Sequence, residues 1–395
     1  MGGILYISYT GMAEPLGQSQ VISYLERLAG DFEIHLISFE KPDADPQERA
    51  LAGDRIARAG IGWHPLRYHK RPPSLATFYD VRRGIALGKR LIARHGLSVV
   101  HARSYVPALM ALALKSASGV RFLFDMRGFW ADERADAGLW RRSGPAYRVT
   151  KRLERRFLAE ADAIVSLSHA AAREIDRMPE PPLAEISVIP TCVDLERFRP
   201  MPELRAPVFT LGYVGSVGGW YCFEEVVELF LALKKIRREA QLLVVNRGEH
   251  DKVVEHVRRH GLDPGAVELR TARHEQMPGL VNRMSAGIMI ARTAYSHLAR
   301  APTRLAEYLG CGVPCAANDG IGDVSGLIEK EAVGTVLREF SDTTRRHMAE
   351  ELVALSQSTG IIERCAAAAR RHFSLDEGVA RYCGIYRKLN ASYGG

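Results

Sequence analysis

Short β-branched or apolar runs alternate with amphipathic stretches along the whole chain. In the first half these runs cover residues 4–8, 33–39, 61–68, 98–103, 121–127, 163–168 and 186–190. Between them, helical spacing recurs; Val21, Ile22, Leu25 and Leu28 keep it just after Gly17. A polar, proline-containing stretch at 196–203 reads as a linker. The alternation then restarts, with runs at 209–215, 241–246, 267–270, 286–292, 313–318 and 333–339. Strands that alternate with helices make parallel sheets covered by helices on both faces. The pattern therefore predicts an α/β chain with two doubly wound, Rossmann-like parallel-sheet domains facing across a cleft. The expected division is 1–200, 207–372 and a closing helical segment, 373–395. Ligands on such sheets bind outside the carboxyl ends of the strands, which directs attention to the strand-to-helix loops.

Composition narrows the class. The chain has 395 residues, 47% of them hydrophobic and 25% charged, which suits two globular domains. No apolar run reaches the ~18–20 residues of a transmembrane helix, and the N-terminus lacks a basic-then-apolar signal region. A cytoplasmic protein is expected. The net charge of +8 favours an anionic partner: a phosphorylated small molecule, an acidic membrane surface or a nucleic acid. Six cysteines all fall from residue 192 onward, and only Cys311 and Cys315 are close. They make no zinc set and read as buried thiols.

The strongest local signal is the block RAPTRLAEYLGCGVP at 300–314. Pro302 suits the start of a helix, where its missing N–H has no partner to lose. The free N–H groups near Ala301, Pro302, Thr303 and Arg304 then form an anion site at the positive end of the helix dipole. Arg300, Thr303, Arg304 and Glu307 share one stripe, while Leu305 and Leu309 point to the core. A carboxylate one turn inside an anion-binding helix end suits a diol, such as a nucleotide ribose. The plainer alternative makes Glu307 a solvated helix charge and Arg304 a surface residue. A second glycine-rich loop, TLGYVGSVGGWY at 210–221, lets a phosphate approach main-chain N–H groups at Gly215 and Ser216. It is neither a GxGxxG fingerprint nor a P-loop.

Taken in order, these segments carry a resemblance. The loop YTGMAEPLGQS at 9–19, VIPTCVDLERF at 188–198, the Gly215 turn, the 300–314 block and NDGIGD at 318–323 are similar to those of retaining GT-B-fold glycosyltransferases of family 4. The resemblance covers nearly the whole chain. It implies a UDP- or GDP-sugar donor on the C-terminal domain, with Gly11 and Gly17 of the first loop also near the donor. It implies an acceptor on the N-terminal domain and a terminal helix returning to that domain. The family contacts its donor with a pair of glutamates; Glu307 matches the second, and Ala299 stands at the first. Where the family usually places Arg and Lys to neutralise the diphosphate, this chain has Ser216 and Tyr221. Arg247, Arg292, Arg300 and Arg304 are the available substitutes, Arg292 and Arg304 foremost. In this class the leaving diphosphate helps deprotonate the acceptor, so neither a metal nor another cofactor is required, and the Asp43/Asp45 pair reads as a solvated loop.

On the N-terminal side, FLFDMRGFWADER at 122–134 starts as a buried strand and ends in a polar cluster. Asp125 and Arg127 occupy the neighbourhood where the family often has a sugar-contacting histidine. Together with Asp132 and Glu133 they suit sugar hydroxyls or an acceptor hydroxyl, or else a buried ion-pair network supporting the loop. His101, at the previous strand end, is a further acceptor-side candidate, with a structural role as its alternative. Residues 141–156 hold seven basic residues against one acid, and Arg82, Arg83, Lys89, Arg90 and Arg94 form a second basic cluster. Such charge attracts anionic lipid by ~1 kcal/mol per residue. A glycan or lipid-linked acceptor at an anionic membrane surface is therefore expected, in polysaccharide or glycolipid assembly. Nucleic acid is not expected, because no recognition motif accompanies the charge. Two other functions fit the same residues: a GT-B sugar-nucleotide epimerase, and a catalytically silent nucleotide-sugar-binding subunit.

Overall fold

The computed structural model describes residues 2–393; Met1, Gly394 and Gly395 lie outside it. The chain forms two compact units. The first contains β1 (Gly3–Ser8), β2 (Ile34–Glu40), β3 (Gly62–Arg67), β4 (Leu97–Arg103), β5 (Arg121–Met126), β6 (Ala163–Ser166) and β7 (Ile186–Val188). These make one parallel sheet in the order β3-β2-β1-β4-β5-β6-β7. The second contains β8 (Thr210–Val214), β9 (Gln241–Val245), β10 (Val267–Arg270), β11 (Ala286–Met289), β12 (Cys315–Asn318) and β13 (Gly334–Leu337). Its parallel order is β10-β9-β8-β11-β12-β13.

The inner strands are buried on both faces, which is why they appear in the sequence as largely apolar runs, while the edge strands β3, β7 and β10 are partly open. Every residue of β1, β2 and β4 is buried. In each sheet the strand order reverses once, between β1 and β4 and between β8 and β11. At such a reversal the following helices leave on opposite faces, opening a crevice at the carboxyl ends. The loops after β1, β4, β8 and β11 are thereby singled out.

The stretch expected as a linker is packed structure. Phe198 is fully buried, Asn282 donates to the Arg199 carbonyl at 3.1 Å, and its side-chain oxygen accepts from Met201 N–H at 2.7 Å. Upstream, Val193 pairs with Ser374. The first unit accordingly ends at Pro190 rather than at residue 200, and the second runs from Thr191 to Ser374. The segment from Leu375 onward belongs to the first unit, where its helix Leu375–Ala391 packs on β4. Among the described residues no helix is long and apolar enough to cross a membrane. The six cysteines are free thiols, and Asp45 caps the helix Pro46–Arg58 by accepting from Gln47 N–H at 2.8 Å.

Candidate functional site

In the second unit, the loop after β8 meets the helix Thr303–Gly310 at the sheet's reversal point. Three anchors hold them together. The Tyr308 hydroxyl, fully buried, accepts from Val214 N–H at 3.1 Å and donates to the Gly212 carbonyl at 3.2 Å. Leu305 and Leu309 are buried in the core, as their spacing predicts. Thr191 donates its hydroxyl to the Ala301 carbonyl just before the helix. Pro302 occupies the cap position and no side chain caps the first turn, so the N–H groups of Thr303 and Arg304 lack a capping acceptor. Ala301, Pro302 and Thr303 are half-buried.

Arg304 is buried, and its guanidinium lies over the Tyr221 ring at 4.3 Å and the Tyr213 ring at 5.3 Å. Burial works against its charge, but the surrounding tyrosines, Tyr221 and Tyr213 foremost, outweigh it and raise its pKa. Its Nη1 is buried with no acceptor. A charged donor of that kind is costly unless an anion completes it. The same guanidinium abuts Gly215, whose φ is +120°; a Cβ there would stand 2.5 Å from Nη2. Glycine is required at this position on both counts.

One turn on, Glu307 is buried, and its carboxylate makes no hydrogen bond or ion pair among the described residues. Burial pushes its pKa up to about 7, only partly offset by Arg304. The surface reading of Arg304 and Glu307 is overturned: both are buried, and Tyr213 and Tyr221 cover the Arg304 guanidinium. Two orphaned polar groups of opposite sign, one helical turn apart, suit a ligand with an anionic part followed by hydroxyl donors.

The remaining sequence candidates spread around this centre. Arg300 lies over the Trp220 ring at 5.0 Å. Arg292 is exposed, and its N–H donates to the Trp220 carbonyl at 2.9 Å, tying the loop after β11 to the loop after β8. Ser216 is exposed, and its carbonyl accepts from the Tyr213 hydroxyl. Arg247 is exposed beyond β9. Nearby, Glu249 accepts from Val217 N–H at 3.0 Å and Asn246 donates to the Gly215 carbonyl at 2.8 Å. Hydrogen bonds from Lys252 and Val217 hold the Glu249 pKa down to about 2. These contacts preform the glycine loop.

In the first unit, β4 and β5 place Arg103 opposite Asp125 at their carboxyl ends. Asp125 is buried, 3.4 Å from His101 Nε2 and 3.5 Å from Arg127 Nη1. Burial alone would raise its pKa; Arg127, His101 and Arg103 overcome it and lower it to about 2. Asp125 Oδ1, Arg103 Nε and Arg127 Nε are all buried without hydrogen-bond partners. His101 is enclosed, with Nδ1 2.6 Å from the Tyr386 hydroxyl and Nε2 toward Asp125. Burial lowers its pKa. It orients Asp125 and presents no free edge to an acceptor.

The 122–134 cluster therefore divides. Asp132 belongs to a support network, accepting from Arg142 at 2.9 Å, Tyr147 at 2.8 Å and Lys151 at 3.0 Å. Lys151 also pairs with Glu154, which accepts from Tyr105. Glu133, half-buried, lies in the first turn of the helix Trp130–Asp136. In the loop after β1, Gly11 N–H donates to Glu14 at 3.0 Å and Met12 N–H to Glu40 at 2.9 Å. Gly17 packs directly on the backbone of Gly11 and Met12. Gly11 and Gly17 thus serve the packing of this loop.

The sequence pattern does not single out Tyr213 or Arg103, nor the packing of Tyr221 on Arg304. Aromatic residues in a glycine loop were the available signal for the tyrosines; for Arg103 it was its place within a buried strand next to His101.

Residues 17–197 match the sequence profile of Glycosyltransferase Family 4. No curated protein matches the chain. Solved structures of similar fold include sucrose-phosphate synthase from Thermosynechococcus elongatus (14% identity, 99% of this chain and 100% of that one, TM-score 0.77). A glycosyltransferase from Rickettsia africae is also similar (14% identity, 98% of each chain, TM-score 0.75). So is Anabaena HepE, solved in complex with UDP and glucose (15% identity, 98% of this chain and 100% of that one, TM-score 0.72). The chain thus has the GT-B fold of these glycosyltransferases, and the match to the Glycosyltransferase Family 4 profile spans most of its first unit and the opening residues of its second.

Proposed function

We propose that the chain is a retaining, metal-independent glycosyltransferase. It takes a UDP- or GDP-sugar on its second unit and moves the sugar to a hydroxyl of a glycan or lipid-linked acceptor on its first. The observation that carries this reading is the buried Arg304 guanidinium, one donor unpaired, against the Gly215 turn and one helical turn from the unpaired Glu307 carboxylate. The diphosphate completes Arg304 and the uncapped N–H groups of Thr303 and Arg304; the ribose hydroxyls donate to Glu307. HepE, similar in fold, has been solved with UDP and with UDP-glucose, which supports a nucleotide sugar over other anions.

During transfer the bond from the anomeric carbon to the diphosphate oxygen breaks. The acceptor oxygen bonds to the same face of that carbon, and its proton passes to the departing phosphate. Negative charge grows on the leaving group, and preorganised donors placed there stabilise the transition state. Arg304, with Arg292 and Arg300 at the adjoining loops, supplies them. Asp125 and Arg127, held by His101 and Arg103, orient sugar or acceptor hydroxyls at the end of β5.

We place the protein in the cytoplasm, at an anionic membrane face, in polysaccharide or glycolipid assembly. Support comes from the helix Pro73–His95, which exposes Leu75, Phe78 and Tyr79 beside Arg82 and Arg83. Incubating the protein with UDP- and GDP-sugars and measuring free nucleoside diphosphate tests the reading. Release that grows with an added acceptor supports it. Binding without turnover would leave a silent subunit, and conversion of the sugar without acceptor an epimerase.

A further inference from the structure

A second polar cluster sits in the first unit at the amino ends of its strands, the opposite edge from the crevice described above. Glu33 precedes β2, His35 is its second residue, and His95 is the last residue of the helix Pro73–His95. Glu33 Oε1 lies 3.1 Å from His35 Nε2 and 3.4 Å from His95 Nδ1. One donor atom from each residue falls within 4.8 Å of the others.

The two edges from Glu33 match a metal's coordination sphere. Tetrahedral ligands at ~2.0–2.1 Å from zinc stand ~3.3 Å apart. His35 is also oriented as metal-bound histidines are, by a hydrogen bond from its second nitrogen: Nδ1 lies 3.0 Å from His64 Nε2. With a cation on His35 Nε2, Nδ1 carries the proton and donates to His64, so both rings are satisfied. The pocket for the imidazole is built in, because β3 places Gly62 opposite His35, and a Cβ there would come within 2.6 Å of His35 Nδ1. The His35 and His95 rings pack at 4.0 Å between centroids. A cation here also lies at the negative end of a long helix dipole, which adds to its attraction.

We propose that Glu33, His35 and His95 form a zinc site, with His64 as the positioning residue. Two imidazoles and one carboxylate are a donor set for Zn2+ or a neighbouring divalent transition metal; calcium and magnesium prefer all-oxygen shells. His35 is nearly enclosed, while Glu33 and His95 are partly open to solvent, so the ion enters from outside and keeps a water as its fourth ligand. Its effect is to clamp the start of β2 to the end of the helix Pro73–His95. It takes no part in transfer, which occurs at the other edge.

The test uses tag-free full-length protein, stripped with chelator and titrated with Zn2+ alone by calorimetry, with Co2+ as the spectroscopic probe. The expected result is one equivalent of Zn2+ bound and a tetrahedral Co2+ spectrum. His95→Ala and Glu33→Gln, both at solvent-accessible positions, should each weaken binding at least ~10-fold while circular dichroism stays that of the wild type. His64→Leu should weaken it by ~10–100-fold, the usual cost of losing an orienting partner. Absence of zinc binding in the micromolar range overturns the proposal. So does binding of undiminished strength in both His95→Ala and Glu33→Gln, which would put the ion elsewhere. Nucleotide release by the zinc-free protein is indifferent to this outcome, so failure here does not touch the proposed transfer reaction.

Discussion

Replacing Glu307 by Gln should weaken nucleotide binding and strengthen the fold at the same time. The carboxylate is buried without a partner, and its pKa in the folded protein is about 7 against an ordinary value of 4.5. Each unit of such a shift is ~1.4 kcal/mol of difference between folded and unfolded chains. A carboxyl raised in the folded state imposes no penalty below its unfolded pKa, where it is protonated in both states. The penalty grows as pH rises from ~4.5 toward ~7 and is then constant. Above pH 7.5 it amounts to about 3 kcal/mol, which a neutral amide of the same shape removes. Ribose hydroxyls, by contrast, donate to a carboxylate with ~1.5–3 kcal/mol per charged hydrogen bond, so nucleoside diphosphate affinity should drop ~10–100-fold. Thermal unfolding of both proteins at pH 4.5 and pH 8, beside calorimetric titration with UDP and GDP, measures both effects. A Gln variant no more stable than wild type at pH 8, or one that binds with wild-type affinity, refutes the reasoning.

Gly215→Ala sets a Cβ against Arg304 in a backbone region costly for alanine; nucleotide affinity should fall at least ~10-fold and stability by ~1–3 kcal/mol, read by calorimetry and urea unfolding. Asp125→Asn leaves Arg127 and Arg103 buried without their carboxylate and should cost ~3–5 kcal/mol at pH 7. Because the Asp125 pKa is depressed, its ionic stabilisation is present above pH ~4 and fades as pH falls toward 2, so the gap between the two proteins should narrow there by about 2–3 kcal/mol. Binding to anionic liposomes should require low salt and drop when Arg82 and Arg83 become Ser; binding unchanged in high salt would remove the membrane-surface reading.

Much of the architecture is legible in the sequence because strands buried on both faces leave largely apolar runs, and each of the thirteen expected runs overlaps a strand. The helix starting near Pro302 is equally plain from its proline and its Leu305/Leu309 spacing. Its environment is not. A stripe of Arg304 and Glu307 opposite those leucines reads as an exposed face, and only the fold buries both and brings Tyr213 and Tyr221 over Arg304. The 196–203 stretch looks like a linker because its composition is polar; one phenylalanine, Phe198, and the distant Asn282 decide otherwise. The polar residues of 122–134 are indistinguishable in sequence. The sheet register sets Asp125 opposite Arg103, the His101 side chain reaches it from the same strand, and a later helix commits Asp132 to Lys151. His35 and His95 lie too far apart in the chain for any spacing rule to pair them.

The central claim is that the reversal point of the second sheet binds a nucleoside diphosphate through Arg304. Calorimetric titration of UDP and GDP into the wild type and into Arg304→Met tests it most directly. The account predicts saturable, one-to-one binding of at least one of the two to the wild type, and a loss of at least ~100-fold in the variant, as befits removal of a buried charged donor. No binding of either nucleotide to the folded wild type, or equal affinity in Arg304→Met, would contradict it.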